Sequence, residues 1–194
     1  MKKLLLTIST LLLAIFSFGQ TTEWKIDHSH SNVTFEISHM VVSTVTGKFQ
    51  DFEGKILADK ADFTDANISF TIFVNSVNTN NEKRDEHLRN DDFFDIEKFP
   101  VITYIGKSLE KKNDNNYVVK GDFTMHGVTK VIELDVRFNG TIKDNKGNMR
   151  AGFKVKGEIN RSDYGLTYNS VLEAGGFSIG NDVEFNVNLE LIKQ

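Results

Sequence analysis

The chain has 194 residues, 39% hydrophobic and 26% charged, with a formal net charge of −4. That is the balance of a soluble globular domain, and it excludes the basic excess that phosphate-binding nucleic-acid proteins carry. Cysteine is absent, which removes disulfide frameworks, thiolate metal sites and a Cys nucleophile. One proline and 14 glycines argue against a string of linked modules.

Residues 1–19 read as a secretory signal peptide. Lys2 and Lys3 form a positive start, residues 4–16 are apolar apart from Thr7, Ser9 and Thr10, and Ser17 and Gly19 occupy the −3 and −1 places of a cleavage site. The apolar run is shorter than the ~20 residues that span a membrane. Cleavage there leaves residues 20–194, starting at Gln20. Loss of Lys2 and Lys3 takes the net charge from −4 to −6. The expected location is periplasmic or secreted, with no stable membrane insertion.

From there the dominant period is two, the mark of strands with one buried and one wet face. A short strand is expected over 24–27. Val33, Phe35 and Ile37 then alternate with polar residues, and a further strand covers 48–57. Ile68, Phe70, Ile72 and Val74 give the next. The segment 82–89 has good helix formers and no β-branched residue, and Thr79 with Glu82 fits a capping box. Asn90-Asp91-Asp92 ends the helix. Strands follow over 101–105 and 117–125, then along Ile132–Phe138, Ala151–Ile159 and Val183–Leu191. Asn113-Asp114-Asn115-Asn116 and Asp144-Asn145-Lys146-Gly147-Asn148 supply hairpin turns. The second resembles the start of a calcium loop but lacks the later carboxylates, so it reads as a plain turn. About eight strands and one short helix predict an all-β, closed or nearly closed antiparallel barrel; a two-sheet sandwich is the competing architecture.

Phenylalanine is abundant. Phe35, Phe70, Phe123, Phe153 and Phe185 stand at inward parity, while Phe49, Phe52, Phe93, Phe94 and Phe99 flank the helix and bends. An eight-stranded barrel either packs solid or holds one slim apolar ligand, and composition does not choose between them. His28 and His30 lie on one side of an extended chain with His39 nearby, a pattern open to two readings: the start of a metal site or a polar rim of hydrogen-bonded imidazoles. No zinc-protease helix, nucleophile elbow or phosphate loop is present, so no catalytic residue is assigned. The charged helix running straight into Asp92-Phe93-Phe94-Asp95 and Phe99-Pro100 has the character of a pocket mouth.

Five blocks in register make the chain resemble the YceI-like family of exported lipid-binding proteins. They are Trp24-Lys25-Ile26-Asp27 with His30-Ser31 and Ser38-His39-Met40; Val45-Thr46-Gly47-Lys48-Phe49 with Phe52 and Gly54; Arg84-Asp85-Glu86-His87-Leu88-Arg89 through Phe99-Pro100; Gly121-Asp122-Phe123-Thr124-Met125-His126-Gly127-Val128-Thr129-Lys130; and Arg161-Ser162-Asp163-Tyr164-Gly165. One departure is Val131, where the family often has proline. The resemblance implies a lipocalin-like barrel over residues 20–194 with the helix at its mouth. It also implies a non-catalytic role in storing or carrying an isoprenoid, an isoprenoid quinone-like lipid or a fatty acid or amide. The implied lining is Phe35, Ile37, Phe49, Phe52, Phe70, Ile72, Phe93, Phe94, Phe99, Tyr104, Phe123, Met125, Phe153, Val155 and Phe185. The implied head-group rim is Arg84, His87, Arg161 and Tyr164. No cofactor, no metal and no nucleic-acid partner is expected, and the family analogy suggests a homodimer. The rival reading is a periplasmic metal-binding or stress protein using His28, His30 and His39.

Overall fold

Strands with alternating polarity must pair along both edges, and here the pairing runs until it meets itself. The computed structural model describes residues 21–171 and 177–194; the signal peptide expected over 1–19 lies outside them. Eleven strand segments are β1 (Glu23–Ile26), β2 (Asn32–His39), β3 (Ser43–Phe49), β4 (Phe52–Leu57), β5 (Asn67–Phe73), β6 (Val77–Asn78), β7 (Val101–Lys111), β8 (Asn116–Met125), β9 (Val128–Lys143), β10 (Met149–Asn160) and β11 (Ile179–Lys193). One helix, α1 (Glu82–Arg89), sits between β6 and β7.

All ladders are antiparallel. The first six segments join in sequence as three kinked strands, β1 with β2, β3 with β4, and β5 with β6, so the eleven segments make an eight-stranded ring. β11 closes it, pairing Phe185 with Phe35 on β2 and Lys193 with Trp24 on β1. This is the expected barrel and not the sandwich; closure leaves no edge strand to cap.

Two local expectations change. The strand expected over 48–57 is broken at Gln50-Asp51 and begins earlier, at Ser43, as the return arm of a hairpin from β2. Ahead of Lys48 only Val45 carries an apolar signal in that arm, so periodicity did not register its start. The helix N-cap is Asn81, whose side chain accepts from the Arg84 amide at 3.1 Å, and not Thr79. Thr79 is instead tied to the buried Asp85 carboxylate through its amide and hydroxyl, at 2.8 and 2.6 Å. The hairpin between β8 and β9 turns on His126 and Gly127, both at positive φ, as a two-residue turn matched to the strand twist demands.

The two ends of the barrel differ. At one end Trp24, Ile56, Ala58, Phe63, Ala151 and Leu191 form a compact cluster. Phe63 reaches in from the loop between β4 and β5, with its ring 4.9 Å from Trp24 and Phe153 and 5.4 Å from Phe138. Trp24 Nε1 donates to the Ala58 carbonyl at 3.2 Å, so the plug buries no idle indole N–H. Arg150 locks the same end, bonding Asp27 at 2.7 Å, Asp144 at 2.8 Å and Glu190. Asp144 thereby serves as the anchor of its hairpin turn. At the other end lie α1, the tip of the β2–β3 hairpin and the segment 161–171. Among the described residues no helix is long and apolar enough to cross a membrane.

Candidate functional site

The barrel is hollow, with an interior cavity of about 520 Å³. The reason lies in how its aromatics are disposed. Phe35 pairs across the ladder with Gly47, Phe185 with Gly157 and Phe70 with Gly54. In each pair the ring lies flat over the glycine: a Cβ at Gly47 would fall 2.3 Å from Phe35 Cζ, and one at Gly157 2.4 Å from Phe185 Cζ. Large side chains therefore lean against the wall, where the missing Cβ makes room, and leave the centre of the barrel open. Phe35, Phe153 and Phe185 are only partly buried although they point inward, because their inner faces meet empty space.

Thirteen of the expected lining residues border this cavity: Phe35, Ile37, Phe49, Phe70, Ile72, Phe93, Phe94, Tyr104, Phe123, Met125, Phe153, Val155 and Phe185. Two do not. Phe52 is buried within the wall, stacked on Phe70 at 5.8 Å and facing His28 at 5.2 Å. Phe99 lies outside the barrel, against His126 at 4.5 Å and over Gly127; it follows the helix and does not share the strand parity that points inward. Sequence reading missed Phe63, Tyr168 and Leu88. The first two lie on loops, where no period marks them. Leu88 is the apolar residue of an otherwise polar helix, which was a readable sign.

The open end is where polar groups enter the lining: Thr79, Arg84, His87, Arg161, Ser170 and Ser178. Arg89 fixes α1 by donating to the Asn75 and Val77 carbonyls at 3.0 Å, which presents Arg84, His87 and Leu88 to the cavity. Arg84 donates to the Thr79 hydroxyl at 2.7 Å and the Thr79 carbonyl at 2.9 Å. His87 bonds Asp92 at 3.0 Å and packs edge-on to Phe93 and Tyr168, at 4.9 and 4.8 Å, joining the helix to the loop opposite. Asn169 and Ser178 hold that loop to β11 and to the hairpin tip, where the Met40 amide donates to the Ser178 carbonyl at 2.8 Å.

Of the four expected rim residues, Arg84, His87 and Arg161 face the cavity. Tyr164 does not: it is 1% exposed, with its ring on Phe123 at 5.4 Å and its hydroxyl without a hydrogen-bond partner among the described residues. Burial raises its pKa. The 3-10 turn Arg161–Tyr164 sends the arginine inward and the tyrosine into the wall.

The three histidines of the rival metal reading do not converge. His28 and His30 precede β2, whereas His39 ends it at the open mouth. His30 bonds Asp27 at 3.0 Å, and Asp27, His30 and Glu190 bring potential ligand atoms within 4.8 Å of one another. The Arg150 guanidinium already bridges Asp27 and Glu190, so a cation occupies the place a metal would take.

Comparison with known proteins agrees with this geometry. The model of the YceI-like domain matches residues 24–191. A UPF0312 protein of Staphylococcus aureus strain MSSA476 is 39% identical over 170 residues, covering 87% of this chain and 96% of that protein. Among solved structures, the Campylobacter jejuni YCEI protein superposes with a TM-score of 0.69 at 33% identity, covering 81% of this chain and 90% of the other. Two more distant structures share the fold. BcnA of Burkholderia cenocepacia has a TM-score of 0.74 at 19% identity, covering 85% of this chain and 98% of its own. A polyisoprenoid binding domain from Saccharophagus degradans implicated in plant cell wall breakdown has 0.63 at 21%, covering 88% and 98%.

Proposed function

The chain belongs to the YceI-like domain family, and from that premise we propose that it is a non-catalytic binder of a long apolar chain, an isoprenoid or similar lipid, held inside the barrel. The observation that carries this reading is the open cavity walled by aromatic and aliphatic side chains that lean on cross-strand glycines. The polyisoprenoid-binding character of the Saccharophagus neighbour supports the ligand class. Burying methylenes supplies up to ~0.8 kcal/mol each, so one isoprene unit contributes at most roughly 3–4 kcal/mol before ordering costs. Because that force has no direction, the cavity selects by width and length.

The signal-like start of the chain extends the proposal to an exported carrier or store, with Gln20 as the first residue of the working protein. Organic extraction of detergent-free protein followed by mass spectrometry tests the binding. A long-chain lipid in near-stoichiometric amount is expected; an empty extract, together with no rise in melting temperature on adding prenyl lipid, sinks the idea. Intact mass of the exported protein tests the cleavage: a mass that retains Met1 contradicts it.

A further inference from the structure

We infer that the ligand carries an ionised oxyanion head, a carboxylate or a phosphate, seated on Arg161 at the polar end of the cavity. This rests on the lipid-binding reading above and narrows it from apolar chains in general to acidic amphiphiles. Arg161 is 3% exposed, yet it borders the cavity. Among the described residues its bonds go to neutral carbonyls, Nε to Gly180 at 2.8 Å and Nη1 to Leu166 at 2.6 Å. A guanidinium offers five N–H donors, so most of its fork is left for something else.

Buried arginines are normally paired with an acid. Among the described residues no carboxylate makes an ion pair with Arg161, and the nearby acids are engaged elsewhere. Asp163 pairs with Lys130 at 2.8 Å, Asp182 accepts from Asn160 at 3.4 Å, and Asp85 takes the Thr79 amide and hydroxyl. Burial pushes the arginine pKa below its ordinary value, as expected of a desolvated cation with no charged partner among the described residues. Arg84, the second guanidinium on this cavity, is opposed across the Thr79 hydroxyl by Asp85. Among the described residues Arg161 has no such relay and is the better anchor, with Arg84 as the other guanidinium lining the cavity. A planar, bidentate fork matches a carboxylate or a phosphate and is poorly served by an alcohol, amide or quinone carbonyl.

The test uses delipidated full-length mature protein and two matched ligand pairs: farnesyl phosphate with farnesol, and oleate with oleamide. Affinities are read by displacement of an apolar fluorescent probe at neutral pH. At least one charged ligand is expected to bind about ten-fold tighter than its neutral twin or better. Preference within the first pair marks a phosphate head and within the second a carboxylate. In Arg161→Gln the preference falls by about ten-fold, and in Arg84→Gln by less. Should Arg161→Gln fail to fold, the wild-type pairs still decide. Equal binding of charged and neutral twins overturns the oxyanion head while leaving the lipid pocket intact. Binding of none of the four overturns the lipid reading itself.

Discussion

Two arginines mark the two ends of the barrel, and their surroundings are opposite. Arg150, at the closed end, is 22% exposed and bonded to Asp144, Asp27 and Glu190. Those three acids hold its pKa well above the ordinary value, and it in turn holds Asp27 and Asp144 well below the usual carboxylate range. Arg161, at the open end, is more deeply buried, and among the described residues it rests on carbonyls alone. The same contrast runs through the aromatics. At the closed end Phe63 meets Trp24, Phe138 and Phe153 ring to ring, whereas further up Phe35 and Phe185 meet glycines and face a void. Charge and apolar surface satisfied inside the fold hold the structure together; charge and apolar surface left unsatisfied are available to a ligand.

Removing the plug is the most disruptive way to break the contrast. Phe63→Ala empties a site 2% exposed and touched by three aromatic rings, and is expected to cost about 3–5 kcal/mol in urea unfolding. A loss below ~1 kcal/mol means that the closed end is not a packed core.

The hollow region responds differently to added volume. Gly157→Ala places a methyl 2.4 Å from Phe185 Cζ, which must swing toward the centre. In a solid core such overpacking costs ~1–3 kcal/mol. Here the ring has room, so stability should change by less than ~1 kcal/mol while long-chain lipid binding weakens several-fold. Phe123→Trp behaves likewise. Marked destabilisation without loss of binding contradicts the open interior.

The Arg150 network predicts a pH signature. Because Asp27 and Asp144 have folded pKa values below the ordinary 3.8, their contribution is complete above that value and is lost as pH falls from it toward the folded values. Arg150→Met should lower the melting temperature by a few degrees at neutral pH and flatten its fall in acid. An unchanged acid limb removes the network from the closed end's stability. The smallest effect concerns the open end. Val41 is 80% exposed at φ 64°, a left-handed conformation that a β-branched residue adopts at a cost. Val41→Gly should stabilise by about 1 kcal/mol, read by thermal denaturation; a decrease means that the hairpin tip is held by its side chain.

Much of the fold was legible because alternation marks half-buried strands: β5, β8, β10 and β11 stand where their apolar periods stand. The arm Ser43–Phe49 was hidden by its polarity, and the break at Gln50-Asp51 by the continuity of its neighbours. In the site, parity found Phe35, Phe70, Phe123, Phe153 and Phe185, since an inward position on a strand is an inward position in the barrel. Phe52, Phe99 and Tyr164 were placed in the site without parity: Phe99 and Tyr164 lie on irregular backbone where it has no meaning, and Phe52 begins a strand at a kink. The choice between solid and hollow lay in glycines directly across the ladder from phenylalanines, a pairing that depends on register and so became visible only once the strands were aligned.

Native mass spectrometry of detergent-free protein, before and after organic extraction, tests the filled barrel most directly. A lipid-binding protein shows a discrete mass excess that extraction removes and added prenyl lipid restores one-to-one, with weaker restoration in Gly157→Ala. A single unliganded mass that no long-chain lipid shifts would contradict it.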